Sequence, residues 1–182
     1  MTPTPTPARI EFSRPVSTEG LAEEGAAFAI EADASERAAL ARRFDLKCLD
    51  RLQATLRLTP DQKGLLRLDG RLLADVVQVC VVTLADVAAA IDAPFALRFS
   101  SEVPGEADQG AVYITIDEED PPEPLIGKTL DLGEVVAEQL ALALDPYPRV
   151  PGAVFRQAPP EAPGEDAVNS PFRKLVTLKS GK

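Results

Sequence analysis

Histidine and tryptophan are absent from this 182-residue chain, which has two cysteines, one methionine and few aromatics. Without histidine there is no Ser-His-Asp or Cys-His nucleophile pair, no histidine-ligated zinc and no imidazole switch near neutral pH. Cys48 and Cys80 are too few for a disulfide framework or a four-cysteine zinc site. No apolar run reaches the roughly 20 residues that a membrane-spanning helix needs. The opening residues, MTPTPTPAR, lack the apolar core of a secretory signal. These absences lead to the expectation of a soluble cytoplasmic protein with no cofactor, no metal and no membrane partner.

Positive charge is also in short supply. The formal net charge is −10, which repels nucleic acid at long range and argues against DNA as a partner. The distribution is uneven, however. Between Glu36 and Arg71, arginine and lysine outnumber the acids nine to five, and Arg173, Lys174, Lys179 and Lys182 make the last residues basic. Between Glu102 and Glu123 every charged residue is an acid. Asp117-Glu118-Glu119-Asp120 has oxygen ligands suited to Mg²⁺ or Ca²⁺, but Pro121, Pro122 and Pro124 follow it and the glycine-bearing loop of an EF-hand is missing. It reads as a solvated acidic loop.

What is present is patterned. Residues 1–7 read as a disordered N-terminus, and a strand is expected near Ile10–Phe12, paired with Ala27–Glu31. Asp33 with Glu36 has the spacing of a capping box, opening a helix that runs to about Asp45 on a Leu40/Phe44 seam. Leu52, Ala54, Leu56 and Leu58 then alternate with Arg51, Gln53, Thr55 and Arg57, the period of a half-buried strand. A turn over Pro60–Gly64 returns the chain through Leu66 and Leu68. Gly70 inside a strand pattern predicts a bulge or a sharp bend. The valine-rich run Val76–Val82 belongs in the middle of a sheet. Leu84–Ala93 fits strand or short helix, Phe95, Leu97 and Phe99 resume the alternation, and Val112–Ile116 is a further strand.

The stretch LDLGEVVAEQLALALDP, Leu130–Pro146, predicts a second helix. Asp131 is its cap, Glu134 reaches back to complete a capping box, Leu130 and Val135 form a staple, and Pro146 and Pro148 end it. The fold class is therefore α+β: a curved or partly closed antiparallel β meander covered by an early helix and a late helix. Residues 8–156 make a single domain. Residues 157–170 are a flexible Pro/Gly/acidic linker, and 171–182 form a basic tail whose Phe172, Leu175 and Leu178 have the helical spacing of a piece able to dock on the domain.

Three segments, in order, resemble the YceD family of large ribosomal RNA subunit accumulation proteins. They are Gly70-Arg71-Leu72 through Cys80-Val81-Val82-Thr83-Leu84; Asp131-Leu132-Gly133-Glu134 through Leu140 and on to Pro148; and Ser170-Pro171-Phe172-Arg173-Lys174-Leu175. Gly70, Cys80, Asp131, Leu132, Glu134, Leu140, Pro171 and Phe172 are the positions that carry the family's structural signature. Many members have C-x-R-C-L where this chain has Val82 and Thr83, and cysteines after the late helix that it lacks, so any metal or redox role for those cysteines does not transfer. The resemblance implies a non-enzymatic factor supporting accumulation, processing or stability of 23S rRNA. Its partner would be a 23S rRNA precursor or a large-subunit ribosomal protein; the alternative is an adaptor in subunit assembly that touches no RNA. The candidate contact residues are Arg51, Arg57, Arg67, Arg71, Arg173 and Lys174, since the guanidinium fork suits phosphate. Stacking aromatics are scarce around them, which argues against base-specific reading. Cys80, in a valine run with no base beside it, reads as a small core residue, and Cys48 as inert.

Overall fold

The computed structural model describes residues 10–61, 65–101 and 121–155. The chain divides into two compact units, Met1–Pro151 and Gly152–Lys182. In the second, 152–155 are described and form no regular element. The expected strand Val112–Ile116, the acidic stretch Asp117–Asp120, the N-terminal residues 1–7, the linker 157–170 and the tail with Pro171, Phe172, Arg173 and Lys174 lie outside the described residues.

In the first unit the elements run β1 (Pro15–Ser17), β2 (Ala26–Glu31), α1 (Ala34–Arg43), β3 (Cys48–Pro60), β4 (Leu66–Val79), β5 (Asp86–Ser100), β6 (Glu123–Pro124), β7 (Thr129–Asp131) and α2 (Leu132–Ala143). Five strands form one sheet in the order β2-β3-β4-β5-β6, and β1 pairs with β7 in a small second ladder. Pairing is antiparallel throughout except for the short parallel contact of β6 on β5. This is the expected α+β meander with the sheet unclosed; of the valine-rich run, Val76–Val79 lie on the central strand β4, while Val81 and Val82 fall in the turn after it. Leu84–Ala93 resolves as strand from Asp86 onward.

Strict alternation sorts the sheet into two faces. Leu52, Ala54, Leu56 and Leu58 of β3, and Leu68, Leu72, Ala74 and Val76 of β4, are buried under the helices. α1 packs on β3, and α2 packs on β4, β5 and β1. α1 contributes Leu40, and α2 contributes Leu132, Val135, Val136, Ala137 and Leu140 to the same core. The capping box of α1 is complete: Ser35 and Glu36 N–H donate to Asp33 Oδ1 at 2.7 and 2.8 Å, and Asp33 N–H donates to Glu36 Oε2 at 2.8 Å.

Three expectations are corrected. Ile10–Phe12 is not a strand: the first strand lies at Pro15–Ser17 and pairs with Thr129–Asp131, while Ala26–Glu31 pairs with β3. The cause is Phe12, which is 1% exposed and spent on the core, and Arg14, whose N–H is taken by Asp131. Glu134 does not close a capping box on α2; its carboxylate instead pairs with Arg43. Gly70 sits in register between Leu56 and Phe95, and the irregularity in β3–β4 pairing falls between Leu49 and Arg51.

Gly70 is required by its neighbour rather than by the backbone. A Cβ there would fall inside the ring atoms of Phe95, which lies over the glycine from β5. The obstacle is the far end of a half-buried side chain, so Gly70→Ala should displace the ring at a cost of about 1–2 kcal/mol. In a Phe95→Leu background that cost should fall toward zero. Urea midpoints of the two single variants and the double variant measure this coupling; simple additivity would show that the ring does not own the space.

Candidate functional site

β3 and β4 pair antiparallel in a register that sets residue i opposite 126 − i over most of its length, so side chains two apart share a face. This register brings Arg51, Arg57, Arg67 and Arg71 onto the face away from the helices. It also brings acids. Arg51 Nε lies 2.9 Å from Asp75, Arg67 lies 2.8 Å from Asp69, and Arg71 reaches across to Asp92 of β5 at 2.6 Å. Arg57 donates to the Glu24 carbonyl at 2.5 Å. Arg67 and Arg71 hold the carboxyls of Asp69 and Asp92 below the usual carboxylate range. Among the described residues this face is thus a lattice of compensated charges around a groove of about 280 Å³, floored by Ala29, Gln53, Thr55 and Leu73.

The signature of the second helix does a different job. Asp131 accepts from Gly133 N–H at 3.0 Å and Glu134 N–H at 3.3 Å, as a cap should. The same carboxylate accepts from Arg14 N–H at 2.7 Å and from the Ser13 hydroxyl at 2.5 Å, and Leu132 N–H donates to the Arg14 carbonyl at 3.1 Å. Burial acts to raise the Asp131 pKa, but the bonds from Ser13, Arg14, Glu134 and Gly133 outweigh it and the carboxyl is held low. Gly133 lets the helix touch that segment, since a Cβ on it would stand 2.5 Å from the Phe12 carbonyl oxygen. Arg14 then carries the linkage to α1 through a bidentate pair with Glu36 at 2.7 and 2.9 Å, which lowers the Glu36 pKa. Arg43 of α1 closes the loop on Glu134 at 2.7 Å and on Glu11 at 3.2 Å. Asp131, Gly133 and Glu134 are therefore the clamp that joins both helices to the segment 11–14.

Cys80, fully buried, follows the end of β4 and its sulfur accepts the N–H of Thr83 at 3.4 Å and of Val150 at 3.5 Å. The Thr83 side chain first, then these backbone donors and that of Val82, outweigh desolvation and bring the thiol down to about 6. With Val81 N–H on the Pro148 carbonyl and Gln78 on the Asp145 carbonyl, the sulfur helps tie the β4–β5 turn to the chain after α2. Cys48 is half-buried, donates to Asp50 and has its pKa raised by that carboxylate.

Sequence reasoning missed Arg14, Arg43 and Gly133 as determinants of the clamp, because their partners lie up to 121 residues away, from Phe12 to Gly133. The Arg51–Asp75 pairing was readable once the turn was placed, since register follows from it.

Searches of curated proteins and of solved structures each return no match for the chain. The family model described as "Large ribosomal RNA subunit accumulation protein YceD" matches residues 68–179, from within β4 through the second helix and beyond. That span contains the Cys80 turn and the whole Asp131-Leu132-Gly133-Glu134 signature, and the chain belongs to the YceD family.

Proposed function

We propose that this protein is a non-enzymatic factor in large-subunit biogenesis that supports 23S rRNA accumulation by binding precursor rRNA or a ribosomal protein associated with it. The observation that carries this reading is the family match over 68–179. The structure is compatible with a scaffold: Asp131 and Glu134, the acids of the signature, are both engaged in holding the fold together. In this reading the open sheet face, with Arg51, Arg57, Arg67 and Arg71, is the docking surface, and Arg173 and Lys174 add contacts from the tail. A net charge of −10 and the compensated lattice on that face favour a second reading, an adaptor that meets only protein.

In-cell crosslinking of the tagged protein, with sequencing of attached RNA, separates the two. Discrete 23S precursor sites are expected. Changing Arg51, Arg57, Arg67 and Arg71 together to Gln leaves Asp69, Asp75 and Asp92 uncompensated, and crosslinks should fall several-fold. Exposed pairs contribute only about 0–1 kcal/mol each, so the fold survives the change. Ribosomal proteins co-purifying from RNA-free material, with no RNA enrichment, would establish the adaptor reading instead.

A further inference from the structure

Two arginines without a carboxylate partner among the described residues, Arg37 and Arg42, lie on α1, whereas on the sheet face Arg51, Arg67 and Arg71 are ion-paired and Arg57 bonds a carbonyl. At about 100° per residue, Ala34, Ala38 and Ala41 form one stripe along the helix, with Arg37 on one flank and Arg42 on the other. The small side chains leave a trough between α1 and the start of β3, about 390 Å³ in volume, and Lys47 closes its far end. The Arg42 side chain is exposed and has no hydrogen-bond or ion-pair partner among the described residues. Arg37 spends one donor, on the Ala32 carbonyl at 2.7 Å, and meets no carboxylate among the described residues. Lys47 is paired with Asp86 at the surface, where water competes for both partners. The acid lining the trough, Asp50, accepts from the neutral Cys48 thiol at 2.9 Å, so the three cations outnumber it.

We infer that this trough is a phosphate-binding site for the backbone of single-stranded or looped rRNA, with Arg37, Arg42 and Lys47 as its cation set. The inference rests on the RNA reading above and deepens it by locating the contact. The Arg37 and Arg42 guanidiniums, with no carboxylate partner among the described residues, bind phosphate without first giving up an ion pair, which Lys47 and the sheet-face Arg51, Arg67 and Arg71 must do. The alanine floor has no base-stacking aromatic and no polar reader, so contact is with the backbone and independent of sequence. The residues fall before position 68, outside the span that the family model matches.

The test uses the full chain and labelled overlapping transcripts of precursor 23S rRNA, titrated between 50 and 200 mM salt on the order used for such plots. Three lost phosphate contacts should reduce the slope of log Kobs against log salt by about 2–3 and weaken binding at least tenfold. That is the result expected for Arg37→Gln/Arg42→Gln/Lys47→Gln, while Arg37→Lys/Arg42→Lys should stay close to wild type. Matching circular dichroism and urea midpoints guard against a folding effect. If the triple Gln variant keeps the wild-type slope while the sheet-face variant loses affinity, the trough is not the site and the RNA reading stands. If the wild type binds none of the transcripts, the RNA reading itself fails and takes the trough with it.

Discussion

Gly133→Ala is expected to cost about 3 kcal/mol, although alanine is ordinarily the better residue inside a helix by roughly 1 kcal/mol. The sign is reversed because the added carbon meets backbone on two sides: 2.5 Å to the Phe12 oxygen, 2.9 Å to its carbon and 3.0 Å to the Arg14 nitrogen. Backbone cannot swing aside as a side chain does. Either α2 retreats, stretching the Leu132–Arg14 and Arg14–Asp131 bonds, or Phe12 leaves the core. Two weakened hydrogen bonds at about 1 kcal/mol each and an overpacking strain of about 1–3 kcal/mol reach the stated cost. Urea unfolding should show the midpoint falling with the m-value unchanged. Ala141→Val, on the exposed face of the same helix, should stay within about 0.5 kcal/mol. A Gly133→Ala variant as stable as wild type would mean that segment 12–14 does not bear on the helix.

The contrast with Gly70 marks the limit of what the sequence carries. Both glycines stand out in the chain, but one faces an aromatic tip and the other a carbonyl, and only the fold distinguishes them. Local chemistry was legible. Asp33 and Glu36 announced the start of α1, alternation from Leu52 to Leu58 announced β3, and Asp131 announced α2, because each signal and its partner lie within a few residues. Glu134 misled for the same reason: its local partner was the cap, and its actual partner, Arg43, is 91 residues away. Ile10–Phe12 looked like a strand because apolar alternation over three residues is shared by a strand and by a segment that inserts one ring. Alternation set Arg51 and Arg57 on one face, and the hairpin register brings Arg67 and Arg71 to the same face. Their neutralisation followed from hairpin register for Arg51, but for Arg71 it needed the diagonal to Asp92, which periodicity does not supply. The trough was invisible in sequence, where Arg37 and Arg42 were simply part of a basic run.

Asp131→Ala should cost about 3 kcal/mol at neutral pH, from a cap worth about 1 kcal/mol and charge-assisted bonds to Arg14 and Ser13 worth about 1.5–3 kcal/mol together. Asp131→Asn keeps the shape of the cap but cannot titrate, so the gap between it and wild type isolates the carboxylate's charge. The folded-state pKa of Asp131 is depressed below its unfolded value of about 3.9. Its contribution is therefore fully present above that unfolded value and disappears as pH falls through the lower, folded one. The gap should be constant from about pH 7 to 5 and shrink progressively below about pH 4. Asp33, Glu36, Asp69 and Asp92 are also depressed, so the absolute stability of both proteins declines over the same acid range. Glu138, raised by burial and by Glu134, acts with the opposite sign. Because these groups are common to both proteins, they cancel in the difference. Urea midpoints at intervals between pH 7 and 3 measure it, and a gap that stays constant to pH 3 would show that Asp131 holds the clamp by shape alone. A closing gap would make this one carboxylate, joining cap, segment 12–14 and α2, the acid-labile point of the clamp.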